Sequence, residues 1–324
     1  MRKFISILMG ICLLLIVMNG CTQSNGSAES TGKISIVATI FAPYDFIRQI
    51  VDDQAEVTML LPPGSESHSY EPTPQDIIKI QNCDVFVYIG GDSDAWVHEM
   101  LESMDTGKMK IITLMDCVDV AEEEIVEGME DDHGYGDEER HDEDEHDERE
   151  LDEHVWTSPQ NAKIIVKKIS DALCEVDADN ANSYRENTTA YLNQLDELDA
   201  KFQEIVNSAP RKTLVFGDRF PFRYFADAYG LEYFAAFPGC STETEASAAT
   251  VAFLIDKVKA EAIPVVFHVE LSNQKMANTI SEATEAKVLL FHACHNVTKD
   301  EMAEGVTYIE LMNQNVENLK EALN

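Results

Sequence analysis

An unbroken helical pattern from Ala181 to Asn207 constrains this chain more than any other feature. Tyr184, Tyr191, Leu192, Leu195, Leu198, Phe202 and Ile205 recur along one stripe, the spacing of a helix with a single apolar face. At 1.5 Å per residue the helix would extend about 40 Å, too long for the interior of one small lobe. It reads as a strut between two lobes.

The segments on either side agree. Before it, KISIVATI (33–40), AEVTMLLP (55–62), CDVFVYIG (83–90) and KIITLMD (110–116) are strand-like runs, separated by helical patterns from Pro43, from Pro74 and around Ala95–Met104. After it, TLVFGD (213–218), LEYFAAFP (231–238), PVVFHVEL (264–271) and KVLLFHA (287–293) alternate with helices at Pro221–Tyr229, Ala248–Ala262, Lys275–Ala286 and Tyr308–Leu323. Strands alternating with helices imply parallel β-α-β units. The expected fold class is α/β: two α/β lobes with parallel sheets, joined by the long linking helix. Lobe one spans 33–180, the helix 181–208 and lobe two 209–324, enough chain for a core in each lobe.

Residues 1–21 concern the compartment. Arg2 and Lys3 precede an apolar run of about fifteen residues that Asn19-Gly20-Cys21 closes, the form of an export signal. Cys21 after the small Gly20 resembles the bacterial lipoprotein processing site, where the new N-terminal cysteine is acylated. An uncleaved N-terminal anchor is the alternative, and both put the body outside the cytoplasmic membrane. Residues 22–32 are rich in Ser, Gly, Thr and Gln and read as a flexible tether. Beyond Cys12 and Cys21, the five cysteines at 83, 117, 174, 240 and 294 are irregularly spaced with no Cys-x-x-Cys pair. Neither a disulfide framework nor a thiolate zinc cluster is expected. A net charge of −36 argues against nucleic acid, whose phosphates need a basic footprint.

Much of that charge sits in residues 122–154, where nineteen carboxylates and four histidines fall together. Oxygen and imidazole donors in such number suit divalent cations, but blocks of like charge are also ordinary solvated segments. The tract is an insertion (121–153) between the last strand of lobe one and its last helix, which Ser158-Pro159 opens as an N-cap and first helical residue. His133, His141 and His146 lie inside it, and His154 ends it.

Other candidate donors fall at strand ends. His68 sits in a Pro/Gly-framed loop after the second strand, and His154 precedes the Ser158 cap, with Asp152 and Glu153 as acceptors for its second ring nitrogen. Asp218 ends TLVFGD, His268 and Glu270 share a strand face, and His292 closes KVLLF with His295 three residues on. His268 reads equally well as a core histidine with a main-chain partner. Carboxyl ends of parallel strands are where α/β sheets place ligands. Imidazole and carboxylate donors in a tetrahedral array suit zinc, and a more oxygen-rich set would favour manganese. No nucleophile elbow, phosphate loop or His-Glu-x-x-His helix is present. A secreted zinc hydrolase therefore lacks its machinery, and a surface adhesin is neither supported nor excluded.

PPGSESHSYEPTPQD, EHVWTSPQNA, FRYFADAYG and VELSNQKMANTISEAT together resemble the metal-binding lipoproteins that feed zinc or manganese to ABC importers, the ZnuA/TroA-like substrate-binding family. The likeness covers nearly all of 33–324. It implies two lobes joined by a rigid helix, a metal site in the interlobe cleft and little hinge bending. It further implies a carrier, expected to be a monomer, that catalyses nothing and docks on a membrane permease with its ATPase. His68 and His154 match the family's first and second ligands, and His292 falls near the position where many members carry Asp. The third-ligand position departs from the pattern, reading Gly217-Asp218-Arg219. Asp218 is one substitute, and His268 or Glu270 is another.

Overall fold

Short runs of branched and aromatic residues make the strands here, and sharply capped amphipathic stretches make the helices. The computed structural model describes residues 32–67, 70–129, 150–241 and 245–324. The first lobe runs β1 (Ser35–Ala38), α1 (Phe41–Val51), β2 (Glu56–Met59), α2 (Pro74–Gln81), β3 (Val85–Tyr88), α3 (Ala95–Glu102), β4 (Lys110–Thr113) and α4 (Pro159–Val176). The linking helix is α5 (Ala181–Ser208). The second lobe follows as β5 (Thr213–Phe220), α6 (Arg223–Tyr229), β6 (Glu232–Pro238), α7 (Ala248–Glu261), β7 (Val265–His268), α8 (Lys275–Thr284), β8 (Lys287–Leu290), α9 (Lys299–Glu304) and α10 (Tyr308–Leu323).

Caps set the helix starts. Thr73 and Asp76 close a reciprocal box around Pro74, Ser158 accepts from Asn161 N–H ahead of Pro159, and Ser247 accepts from Thr250 N–H. The short α9, with no counterpart in the sequence reading, is fixed by a Thr298–Glu301 box and stopped by Gly305 in the left-handed region.

The two sheets share one topology. Their orders are β2-β1-β3-β4 and β6-β5-β7-β8, with every pairing parallel. In each, the chain leaves its first strand on one side and returns on the other, which opens a crevice at the carboxyl ends beside β1 and β5. β5 runs past the expected Asp218 to Phe220, with a register shift against β6 between Phe216 and Arg219.

The expectation of a separate core in each lobe is overturned. One continuous cluster takes in Ile36 and Phe46 from lobe one, Tyr191, Leu195 and Phe202 from α5, and Phe216, Phe267 and Phe291 from lobe two. The reason is nonlocal: α10, at the end of the chain, packs against both α5 and α1. Tyr308 donates its N–H to the buried Asp45 at 2.8 Å, and its ring meets Phe46 edge-on at 4.9 Å. Smaller clusters cover the outer face of each sheet, and Ile34–Asn324 forms one compact unit.

Gly217 is explained by packing. A Cβ there would stand 2.5 Å from Ala277 Cα and 2.6 Å from Ala277 N, because α8 lies directly on β5. Gly217→Ala is expected to destabilise the fold by about 1–3 kcal/mol through overpacking, read as a lower midpoint in urea unfolding with an unchanged slope.

Candidate metal centre

Loops from the carboxyl ends of both sheets meet at one place. Phe41 N–H, after β1, donates to His295 O at 2.9 Å, and Gly64 N–H, after β2, donates to Val297 O at 2.7 Å. The buried Asn296 side chain donates to Pro62 O and Ser65 O, each at 2.8 Å. The loop that leads to His68 is thus fastened to the segment after β8. Ser67, the residue before His68, lines both of the roughly 30 Å³ cavities that flank His295.

His154 is completely buried. A bridge between Glu122 and Leu151 closes the base of the acidic insertion, and Val155–Thr157 makes one tight turn before α4. Asp152 Oδ1 accepts both the His154 main-chain N–H and its Nδ1, each at 2.8 Å. A carboxylate partner makes Nδ1 the proton-bearing nitrogen and leaves Nε2 as the lone-pair donor. Burial alone would push the His154 pKa down, but Asp152, with Glu153 and Glu123 beyond it, overrides burial and raises it. Glu153 itself turns away to accept Ser93 N–H at 2.7 Å. Trp156 braces the turn by donating from Nε1 to Ala293 O at 2.7 Å, and Tyr308 donates from its hydroxyl to Trp156 O at 2.8 Å.

From lobe two, the His295 ring meets His154 edge to face with centroids 4.8 Å apart, and meets Trp156 at 4.9 Å. Glu270 lies behind it, Oε1 3.7 Å from His295 Nδ1. Glu270 also accepts the main-chain N–H of Ala293 at 2.7 Å and of His295 at 2.9 Å, which fixes the turn carrying that histidine. Burial would raise the Glu270 pKa, but His292, His295 and these N–H groups hold it far below the carboxylate range. Burial sets the direction for His295, whose pKa is lowered despite Glu270, so its imidazole is neutral near pH 7. Each lobe therefore supplies one imidazole backed by a buried carboxylate.

The other sequence candidates occupy different positions. His292 Nδ1 accepts Cys294 N–H at 2.9 Å, and the His292 main chain is pinned by Asn315. Asp218 spends Oδ1 on Arg219 N–H and Oδ2 on Val269 N–H. His268 Nδ1 lies 2.9 Å from Val269 O. His68, His133, His141, His146 and Cys21 fall outside the described residues. Among the described residues no group of three His, Cys, Asp or Glu is placed to hold a metal ion. His295, which the structure brings against His154, had one signal in the sequence, its place three residues beyond a strand-ending histidine. Cys83, Cys117, Cys174, Cys240 and Cys294 are free thiols.

Residues 36–322 match the family described as zinc-uptake complex component A, periplasmic. The chain is 34% identical over 313 residues to the high-affinity zinc uptake system protein ZnuA of Bacillus subtilis, a match covering 96% of this chain and 95% of that protein. It is 32% identical over 324 residues to the zinc-binding lipoprotein AdcA of Streptococcus pneumoniae, spanning 99% of this chain but 61% of the relative. The solved zinc-bound ZnuA-like domain of Streptococcus pneumoniae AdcA is similar with a TM-score of 0.72 at 30% identity, over 90% of this chain and 99% of that one.

Gly239 leaves the room that His154 needs, since a Cβ there would stand 3.0 Å from His154 Cε1 and 3.1 Å from Nδ1. Gly239→Ala is expected to displace the ring and to destabilise the fold by about 1–3 kcal/mol. Shifted His154 ring proton resonances and a lowered unfolding midpoint are the readouts.

Proposed function

Because the chain belongs to the zinc-uptake complex component A family, we propose that it captures zinc outside the cytoplasmic membrane and hands it to an ABC importer. It is a carrier and not an enzyme. The observation that carries the zinc reading is the pair of carboxylate-backed imidazoles. Two imidazoles on one tetrahedral zinc, at Zn–N of about 2 Å, put their ring centroids about 5 Å apart; His154 and His295 stand at 4.8 Å. His68, one residue beyond Ser67 beside His295, is the third nitrogen donor in this reading. A set dominated by nitrogen favours zinc over manganese. His292, the expected donor near the family's Asp position, holds the turn through Cys294 in this reading.

Asp152 and Glu270 orient the two rings from behind. The tract with His133, His141 and His146 is a weak accessory collector, and acylated Cys21 anchors the carrier to the membrane. Among the described residues no helix is long and apolar enough to cross a membrane.

Two sets of variants test this. His154→Ala and His295→Ala are each expected to weaken zinc binding at least about 100-fold, whereas His292→Ala stays within about tenfold. Competition with a chromophoric chelator measures both, and full affinity in His295→Ala would sink the assignment. Trp156 fluorescence should report binding, since its ring touches His295.

The pH dependence has a definite sign. His154, with its pKa raised by Asp152, carries a proton that zinc must displace, so affinity rises with pH until that nitrogen is neutral and falls below it. Asp152→Asn is expected to move this plateau to lower pH while cutting the limiting affinity by about 10–100-fold. A profile that does not move would show that Asp152 leaves the His154 charge unaffected.

A further inference from the structure

Arg219 is the least expected residue beside a cation site. It lines a cavity of about 30 Å³ together with Glu270, His295, Asn296 and Gly239. The side chain is only 13% exposed, and Nη1 donates to Glu66 Oε1 and to Ser241 O, each at 3.1 Å. Among the described residues, Nε and Nη2 donate to no acceptor. The carboxylates nearby do not answer them: both Glu270 oxygens take main-chain N–H groups, and Asp218 takes two more. Glu66 pairs with this charge through Nη1 alone, and an anion on the Nε/Nη2 edge would lower what repulsion the guanidinium still exerts on a divalent cation.

The free edge of a guanidinium is a planar two-donor fork that matches a planar oxyanion. A cavity of about 30 Å³ admits about two water-sized groups, at roughly 10–15 Å³ for each. That is the size of a carboxylate head, and too small for a larger chelator. We propose that this cavity is a co-anion site: a small planar oxyanion bridges the Nε/Nη2 edge of Arg219 and the bound metal, and completes its coordination. The inference rests on the zinc site proposed above. The anion faces the Nε/Nη2 edge of Arg219 and supplies a donor beside the imidazoles of His154 and His295, and zinc and anion bind cooperatively. Arg219 is then a determinant of what accompanies the metal, although it touches no metal itself.

Formate is the probe, added to the full chain in a buffer whose other anion does not coordinate metals. Zinc affinity, read by chelator competition, is expected to rise about tenfold as formate saturates, the usual size of a two-site coupling. By reciprocity, the relaxation of labelled formate should show binding to the zinc-loaded protein and much weaker binding without zinc. Arg219→Met removes the charge, and Arg219→Lys keeps it without the planar fork; both are expected to lose the formate effect, with folding checked by thermal unfolding. A zinc affinity indifferent to formate in the unaltered protein overturns the proposal, as does a full formate effect in either variant. Failure to bind zinc at all would instead overturn the reading of the site on which it rests.

Discussion

The apolar stripe of α5 is the constraint on which the cleft depends, because both lobes bury against it. Domains that meet through a small polar interface move as a default; a large continuous apolar one removes that freedom. Tyr191 and Leu195 face the side of α1, while Phe202 meets Phe225 at 4.9 Å and Tyr229 at 5.5 Å. Opening the lobes as rigid bodies would expose this core, so the relative positions of His154 and His295 are set by the fold, and the site proposed on them would spend little of its binding energy on ordering.

Two scales of electrostatics operate in this chain and should not be confused. The net charge of −36 raises the concentration of cations around the protein and speeds their encounter, but it discriminates poorly among them. In the proposed site, selection would rest on the imidazoles behind which Asp152 and Glu270 stand. Both carboxylates are buried and satisfied by main-chain N–H groups as well as by histidine. A buried carboxylate left without such donors would neutralise by taking up a proton, and it would then orient nothing. Burial would raise the Glu270 pKa, but His292, His295 and the Ala293 N–H outweigh it and hold the carboxyl far below its usual range.

Much of the fold was legible because its signals are local. Parallel strands buried on both faces read as continuous branched runs, and Thr73-Pro74 and Ser158-Pro159 mark helix starts through chemistry rather than statistics. The shared core was not legible, since the contact of Tyr308 with Asp45 and Phe46 joins the two ends of the sequence. His154 stands out in the sequence because a capped helix follows it at once. His292 was preferred to His295 for an equally local reason, being the first polar residue after an apolar run. The strand stops at Leu290, however, and the chain then turns through the buried Cys294 at a φ of 60°. That left-handed residue carries His295 to the ring of His154, and no periodicity in the sequence announces it.

The departure at Gly217-Asp218-Arg219 becomes coherent once each residue is assigned its neighbour. Gly217 lets α8 lie on β5, Asp218 ties the end of β5 to Val269, and Arg219 reaches Glu66 on the loop leading to His68. A metal ligand at this strand end would have to displace one of these functions, and none is dispensable to the packing around it. In the reading proposed above, the donor that would have stood on β5 comes from the turn after β8, where Glu270, just beyond the intervening β7, lies behind His295. Moving a ligand across a parallel sheet is geometrically cheap, because all the strands deliver their carboxyl ends to the same edge. What β5 carries at this point is a guanidinium paired through Nη1 with Glu66, and its Nε/Nη2 edge is the one to which the proposed co-anion would bind.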